Sequence, residues 1–320
     1  MPIDKKSLPS THRKFVQKFH DDQACAAFLE QLRWPDGFCC PACQTIGVPW
    51  RQTRGRLVCA ACRHQTSVTT GTILEKTRMP LTTWFDAAWH LTTAKSGLSA
   101  KTLEKTLGTS YVTAWAILQR FRVAMVRSER EKLSGWVEVD ETLIGGVKQE
   151  EKRGRGTSNA VVAIAVELIE PKGFGRIRMR HIANASGKNL DAFVNDCIAK
   201  GATVHTDGWT GYNGLSGLGY EHKRTILSAT DDPAHVSMPG VHRVASLLKR
   251  WILGTHQGSV VPEHLQSYLE EFTFRFNRRN SKSRGLVFFR LMEQSMATKP
   301  VTLSDVTYGY NWNHSTGGAN

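Results

Sequence analysis

The stretch CCPACQTIGVPWRQTRGRLVCAAC constrains the front of the chain more than any other. Cys40 and Cys43 form one C-x2-C pair, Cys59 and Cys62 form a second, and fifteen residues separate them. Each pair suits a tight knuckle, and four thiolates facing one another close a tetrahedron around Zn2+. A module of about 40 residues buries too little apolar surface to hold itself together, so the metal is expected to be part of its fold. Cys39 breaks the spacing, and Cys25 and Cys197 are isolated; all three are read as structural.

The location follows from the same cysteines. MPIDKKSLPSTHRKF lacks the apolar run of a secretion signal, so a reducing cytoplasm is expected, where thiols bind metal rather than pair. The apolar run AVVAIAVELI is too short to span a bilayer, so no membrane partner is expected. Charge supplies the partner instead. The formal net charge is +14, and residues 1–135 hold twenty Lys and Arg against ten Asp and Glu. A basic front half ahead of a more balanced back half points to a polyanion, and nucleic acid is the usual one.

Behind the cysteines, GLSAKTLEKTLGTSYVTAWAILQRFR has the pattern of a helix-turn-helix. Ser99 caps a first helix, Leu107-Gly108 makes the turn, and Thr109 or Ser110 caps a second. Ala114, Ile117 and Leu118 then face back toward the core, which leaves Thr113, Gln119, Arg120 and Arg122 for DNA on the other face.

From Trp136 the texture changes to short β-branched runs. WVEVDETLIGG, NAVVAIAVELIE, GRIRMRHIA and ATVHTDG read as strands, NLDAFVNDCIAKG as a helix, and HKRTIL as a fifth strand. VKQEEKRGRGTS reads as a loop between the first two strands, and two helices follow the last one. This order predicts an α/β fold, a mixed sheet with helices packed on it. Asp140 and Asp207 fall at strand ends, and His242 arrives on a helix with Lys249 seven residues further on the same face, about 10 Å along the axis. Two such aspartates suit Mg2+ or Mn2+, which use carboxylates together with water and substrate phosphate. Taken singly, an aspartate in T-D-G commonly only makes a turn.

Over about residues 20–290 the chain resembles the DDE-type transposases of bacterial insertion sequences, in the ISXO2-like group. The likeness lies in WPDGFCCPAC, LVCAACRHQTSVTTGTI, MPLTTWFDAAW, VEVDETLIGG, VHTDGWTGYN, LLKRWILGTHQG and HLQSYLEEFTFRFNRR. It implies a basic arm (1–20), a zinc ribbon (21–72), a helical DNA-binding segment (73–132), an RNase H-like catalytic domain (136–290) and a C-terminal tail (291–320). It also implies Asp140 and Asp207 as metal-binding acids, Lys249 and Arg250 as DNA contacts, and 3′-end cleavage with strand transfer between double-stranded DNA sites. The partners implied are terminal inverted repeats and target DNA at the nucleoid, bound by a homodimer or higher oligomer.

One position departs from the group. Where its pattern has glutamate, this chain has His242. Imidazole is a good ligand for Mn2+ and a poorer one for Mg2+. Three readings stand: His242 binds metal or relays a proton; a nearby carboxylate (Glu138, Glu141 or Asp232) replaces the missing one; or the enzyme is impaired and acts as a transposase-derived DNA-binding protein.

Overall fold

A computed structural model describes residues 3–127, 130–145, 159–169, 171, 173–225, 237–258, 260–310 and 312. The expected loop at 147–158 lies outside the described residues, as does Asp232. The chain divides into two compact units. Met1–Arg127 and Asn280–Tyr310 form the first, and Ser128–Arg279 belongs to the second.

The first unit begins with two helices, α1 (His12–Lys18) and α2 (Asp22–Arg33), each started by a side chain that accepts a backbone N–H. Thr11 caps α1 through Lys14 and Asp21 caps α2 through Ala24. The ribbon follows as an antiparallel pair, β1 (Phe38–Cys39) with β2 (Ile46–Gly47), and a three-stranded antiparallel sheet. That sheet runs β3 (Trp50–Arg51), β4 (Arg56–Val58), β5 (Gln65–Ser67). Helices α3 (Leu81–Thr93), α4 (Ala100–Leu107) and α5 (Tyr111–Ala124) come next. Ser99 caps α4, left-handed Gly108 ends it, and Ser110 caps α5, as the sequence predicts.

Two boundaries differ from expectation. The arm contains α1, whose Phe15 is buried against Trp89 and Phe288. The second unit stops at Arg279, and the next helix, Arg284–Ala297, returns to the first. Its Phe288 sits among Phe15, Phe19, Phe28, Phe85 and Trp89, at ring separations of 5.3 to 6.1 Å. Aromatic burial therefore joins the two ends of the chain into one core.

The second unit is a five-stranded mixed sheet. Strands β6 (Trp136–Ile144), β7 (Ala160–Leu168) and β8 (Phe174–Ile182) form an antiparallel meander. Helix α6 (Gly187–Cys197) then leads to β9 (Thr203–Asp207), parallel to β6, and β10 (Glu221–Thr225) runs parallel to β9. The spatial order β8-β7-β6-β9-β10 is that of an RNase H-like core. Alternation along β7 explains its nearly continuous apolar sequence. Ala163 and Ala165 face α6 through Leu190, Phe193 and Val194. Val162, Ile164 and Val166 face the helices α7 (Pro239–His256) and α8 (Pro262–Phe276) through Val244, Leu248, Leu265 and Leu269. A strand covered on both faces has no polar side to show.

Candidate functional site

The four cysteines predicted from spacing converge. Their Sγ atoms all lie within 4.8 Å of one another, with Cys40 to Cys62 and Cys43 to Cys59 both at 3.7 Å. Bonds of about 2.3 Å to a tetrahedral zinc place sulfurs roughly 3.8 Å apart, so the cage fits that ion. The two knuckles are built alike. Gln44 donates to the Cys40 carbonyl and Arg63 to the Cys59 carbonyl, and each donor residue is left-handed (φ 60° and 63°). Cys40 and Cys59 donate in turn to Thr45 and His64. Hydrogen bonding by Thr45 holds the Cys43 thiol down at about 6. Cys62 stands at about 12: a backbone hydrogen bond at His64 favours its thiolate, but the neighbouring thiols oppose a further negative charge. A divalent cation relieves that conflict.

In the second unit Asp207 closes β9 as expected, but Asp140 is the central residue of β6 rather than its end, because pairing with β7 carries the strand on to Ile144. β6 pairs with β9 in parallel as far as Glu138 and His205, two residues short of Asp140 and Asp207 on their strands. Tyr212 reports on their convergence. Burial raises its phenol well above the ordinary value, and the charges of Glu141, Asp140 and Asp207 raise it further. Its hydroxyl donates to Glu141 Oε2 at 2.9 Å. Local bonds orient both aspartates: Asp140 Oδ1 accepts from Glu141 N at 2.8 Å, and Asp207 Oδ1 accepts from Trp209 N at 3.0 Å. This concentration of carboxylate oxygen at one end of the sheet suits a hard divalent cation.

His242 lies in the first turn of α7, half-buried, and Lys249 and Arg250 are exposed two turns later. The donor atoms of Asp140, Asp207 and His242 do not all approach within 4.8 Å. What holds α7 against the sheet is Glu138. Its buried carboxylate accepts from Val241 N at 2.9 Å and also from Gly240 N. Desolvation raises its pKa, and these two backbone bonds oppose the rise. Gly240 is needed for the approach, since a Cβ there would meet Glu138 Oε2 at 2.8 Å and Leu168 Cδ2 at 3.0 Å. Glu138 thus anchors a helix and Glu141 is bonded to Tyr212, so the two substitutes for the third acid that lie among the described residues each have a partner.

The DNA-facing expectation for α5 needs correction. Gln119 and Arg122 are buried, and Arg120 is half-buried with its Nε donating to the Val301 carbonyl at 3.0 Å. Only Thr113 of the four lies toward the accessible start of the helix, beside exposed Tyr111 and Val112. Nothing local in the sequence marks Tyr212, although its TGYN begins three residues after Asp207.

Comparison with known proteins agrees with this geometry. Residues 132–277 match the ISXO2-like transposase domain, and residues 20–65 match the transposase zinc-ribbon domain. An uncharacterized protein in transposable element ISH50 of Halobacterium salinarum is 28% identical over 280 residues, covering 81% of this chain and 92% of that protein. No helix among the described residues is long and apolar enough to cross a membrane. The four-cysteine ribbon and the RNase H-like sheet each match a domain of that family, so the chain carries an ISXO2-like DDE transposase domain behind a transposase zinc ribbon.

Proposed function

We propose that this chain is the transposase of an insertion sequence, which recognises the terminal inverted repeats and carries out 3′-end cleavage and strand transfer at Asp140, Asp207 and His242. The observation that supports the reading is that the charges of Asp140 and Asp207 both act on buried Tyr212, inside the matched transposase domain. Mg2+ or Mn2+ held there would activate the nucleophile and stabilise the leaving oxygen.

The chain's own residues do the rest. Asp140 and Asp207 supply anionic oxygens, and neutral His242 supplies a nitrogen ligand or accepts the proton of the attacking hydroxyl. Lys249 and Arg250 hold the DNA backbone. In the first step water attacks a phosphodiester, and the P–O bond to the 3′ oxygen breaks to leave a 3′-hydroxyl. In the second, that hydroxyl attacks a target phosphodiester; one P–O bond forms as another breaks. Exposed Arg54, Arg56 and Arg63 on the ribbon, and Thr113 on α5, contact the element ends, and the active species on DNA is a dimer or higher oligomer.

The test is cleavage of a labelled element-end duplex in Mg2+ and in Mn2+. Wild type is expected to release the 3′ end, and Asp140→Asn and Asp207→Asn to lose at least about a thousandfold in rate while still shifting the duplex in a gel. Cleavage unchanged in both variants would refute the assignment.

A second reading, a transposase-derived DNA-binding protein without catalysis, is favoured by one observation. Histidine replaces the usual acid, and its donor does not close with both aspartates within 4.8 Å.

A further inference from the structure

Outside both sites, three metal-ligating side chains converge in the first unit. His12 is the first residue of α1, and Asp86 and His90 lie four residues apart on one face of α3. One donor atom from each lies within 4.8 Å of the other two. The His12 and His90 rings stand 5.4 Å apart. No hydrogen bond or ion pair joins the three among the described contacts, so the groups face one another without satisfying one another.

The surrounding framework fixes them there. One turn after His12, Phe15 is buried and stacks on Trp89 with centroids 4.7 Å apart. Phe19 packs on Phe85 at 4.9 Å. Asp86 and His90 flank those two aromatic residues on α3, so core packing brings all three ligands to one place. Charge balance suits a cation. Burial raises the Asp86 carboxyl while the two histidines lower it, and burial lowers His90, which favours the neutral imidazole a metal requires.

We propose that His12, Asp86 and His90 form a second divalent-metal site, for a borderline transition ion such as Zn2+, that clips α1 to α3. Two imidazoles and one carboxylate leave a fourth position open to water or an exogenous ligand. A tetrahedral ion would draw the donors, which lie within 4.8 Å of one another, to a spacing of roughly 3.4 Å. Magnesium is excluded as the preferred ion, because it favours oxygen over imidazole.

The test uses the full chain with its ribbon already loaded with one zinc, in excess Mg2+ to occupy oxygen sites. Titration with Zn2+ by calorimetry is expected to show one further equivalent, accompanied by a rise in Tm. His12→Ala and His90→Ala are expected to weaken that equivalent by about tenfold or more, without changing the ribbon zinc. Because His12 is exposed, its alanine variant tests the site without disturbing the core. Titration with Co2+ is expected to give absorption without thiolate charge-transfer bands. Absence of the further equivalent in wild type, or its persistence unchanged in both alanine variants, would overturn the proposal.

Discussion

At the scale of single residues, the most informative side chain is Glu138, which is not one of the assigned acids. It is a buried carboxylate that receives the first N–H groups of α7, and so connects the strand of Asp140 to the helix of His242. Glu138→Ala leaves those donors unpaired, a cost of about 1–3 kcal/mol, and is expected to lower activity by more than the stability loss alone, read by comparing Tm with cleavage rate. Gly240→Ala, which drives a methyl into the same carboxylate, should show the same pairing of losses. Protonation adds a pH signature. Because the folded pKa of Glu138 is raised above its ordinary 4.5, its contribution is fully present below about that pH and is lost as pH rises through the folded value. Glu138→Gln is therefore expected to gain on wild type as pH is raised from 4.5, in paired urea denaturation curves. Asp140 and Asp207 stand out in sequence because each follows a short apolar strand pattern, a local signal, although β6 in fact runs on past Asp140 to Ile144. Glu138 was legible only as a neighbour, since its partner lies 103 positions away.

At the scale of elements, the two knuckles were legible because C-x2-C encodes its own turn, and the strands because alternation is local. The role of α5 was not. Its polar residues look outward on a helical wheel, yet the helices Arg284–Ala297 and Leu303–Thr307, from the far end of the chain, pack against it. Gln119 and Arg122 are buried, and the far end of the chain engages Arg120 through the Val301 carbonyl. No sequence window around α5 contains the information. In the second unit, Leu248 is fully buried where α7 meets the sheet, and Leu248→Ala is expected to cost about 2–5 kcal/mol, measured by chemical denaturation. Ser110→Ala, which removes the α5 cap, should cost only about 1 kcal/mol.

At the scale of the whole molecule, each unit has its own core, and only the first carries the ribbon. Zinc chelation is therefore expected to remove the ribbon's structure and duplex binding while the melting transition of the sheet unit persists, as followed by calorimetry and gel shift. The charge of +14 sets the salt dependence. Contact with about six phosphates would weaken binding by about a thousandfold between 50 and 200 mM salt, and a flat salt profile would count against the nucleic-acid reading.

His242 is proposed to work with Asp140 and Asp207 in one site. The most direct measurement is strand transfer of a labelled element-end duplex by wild type, His242→Ala and His242→Glu, each in Mg2+ and in Mn2+. The expected result is an active wild type that favours Mn2+, loss in His242→Ala, and a shift toward Mg2+ in His242→Glu. A wild type inert in both metals that gains activity as His242→Glu would contradict the claim and leave the chain a DNA-binding relative of working transposases.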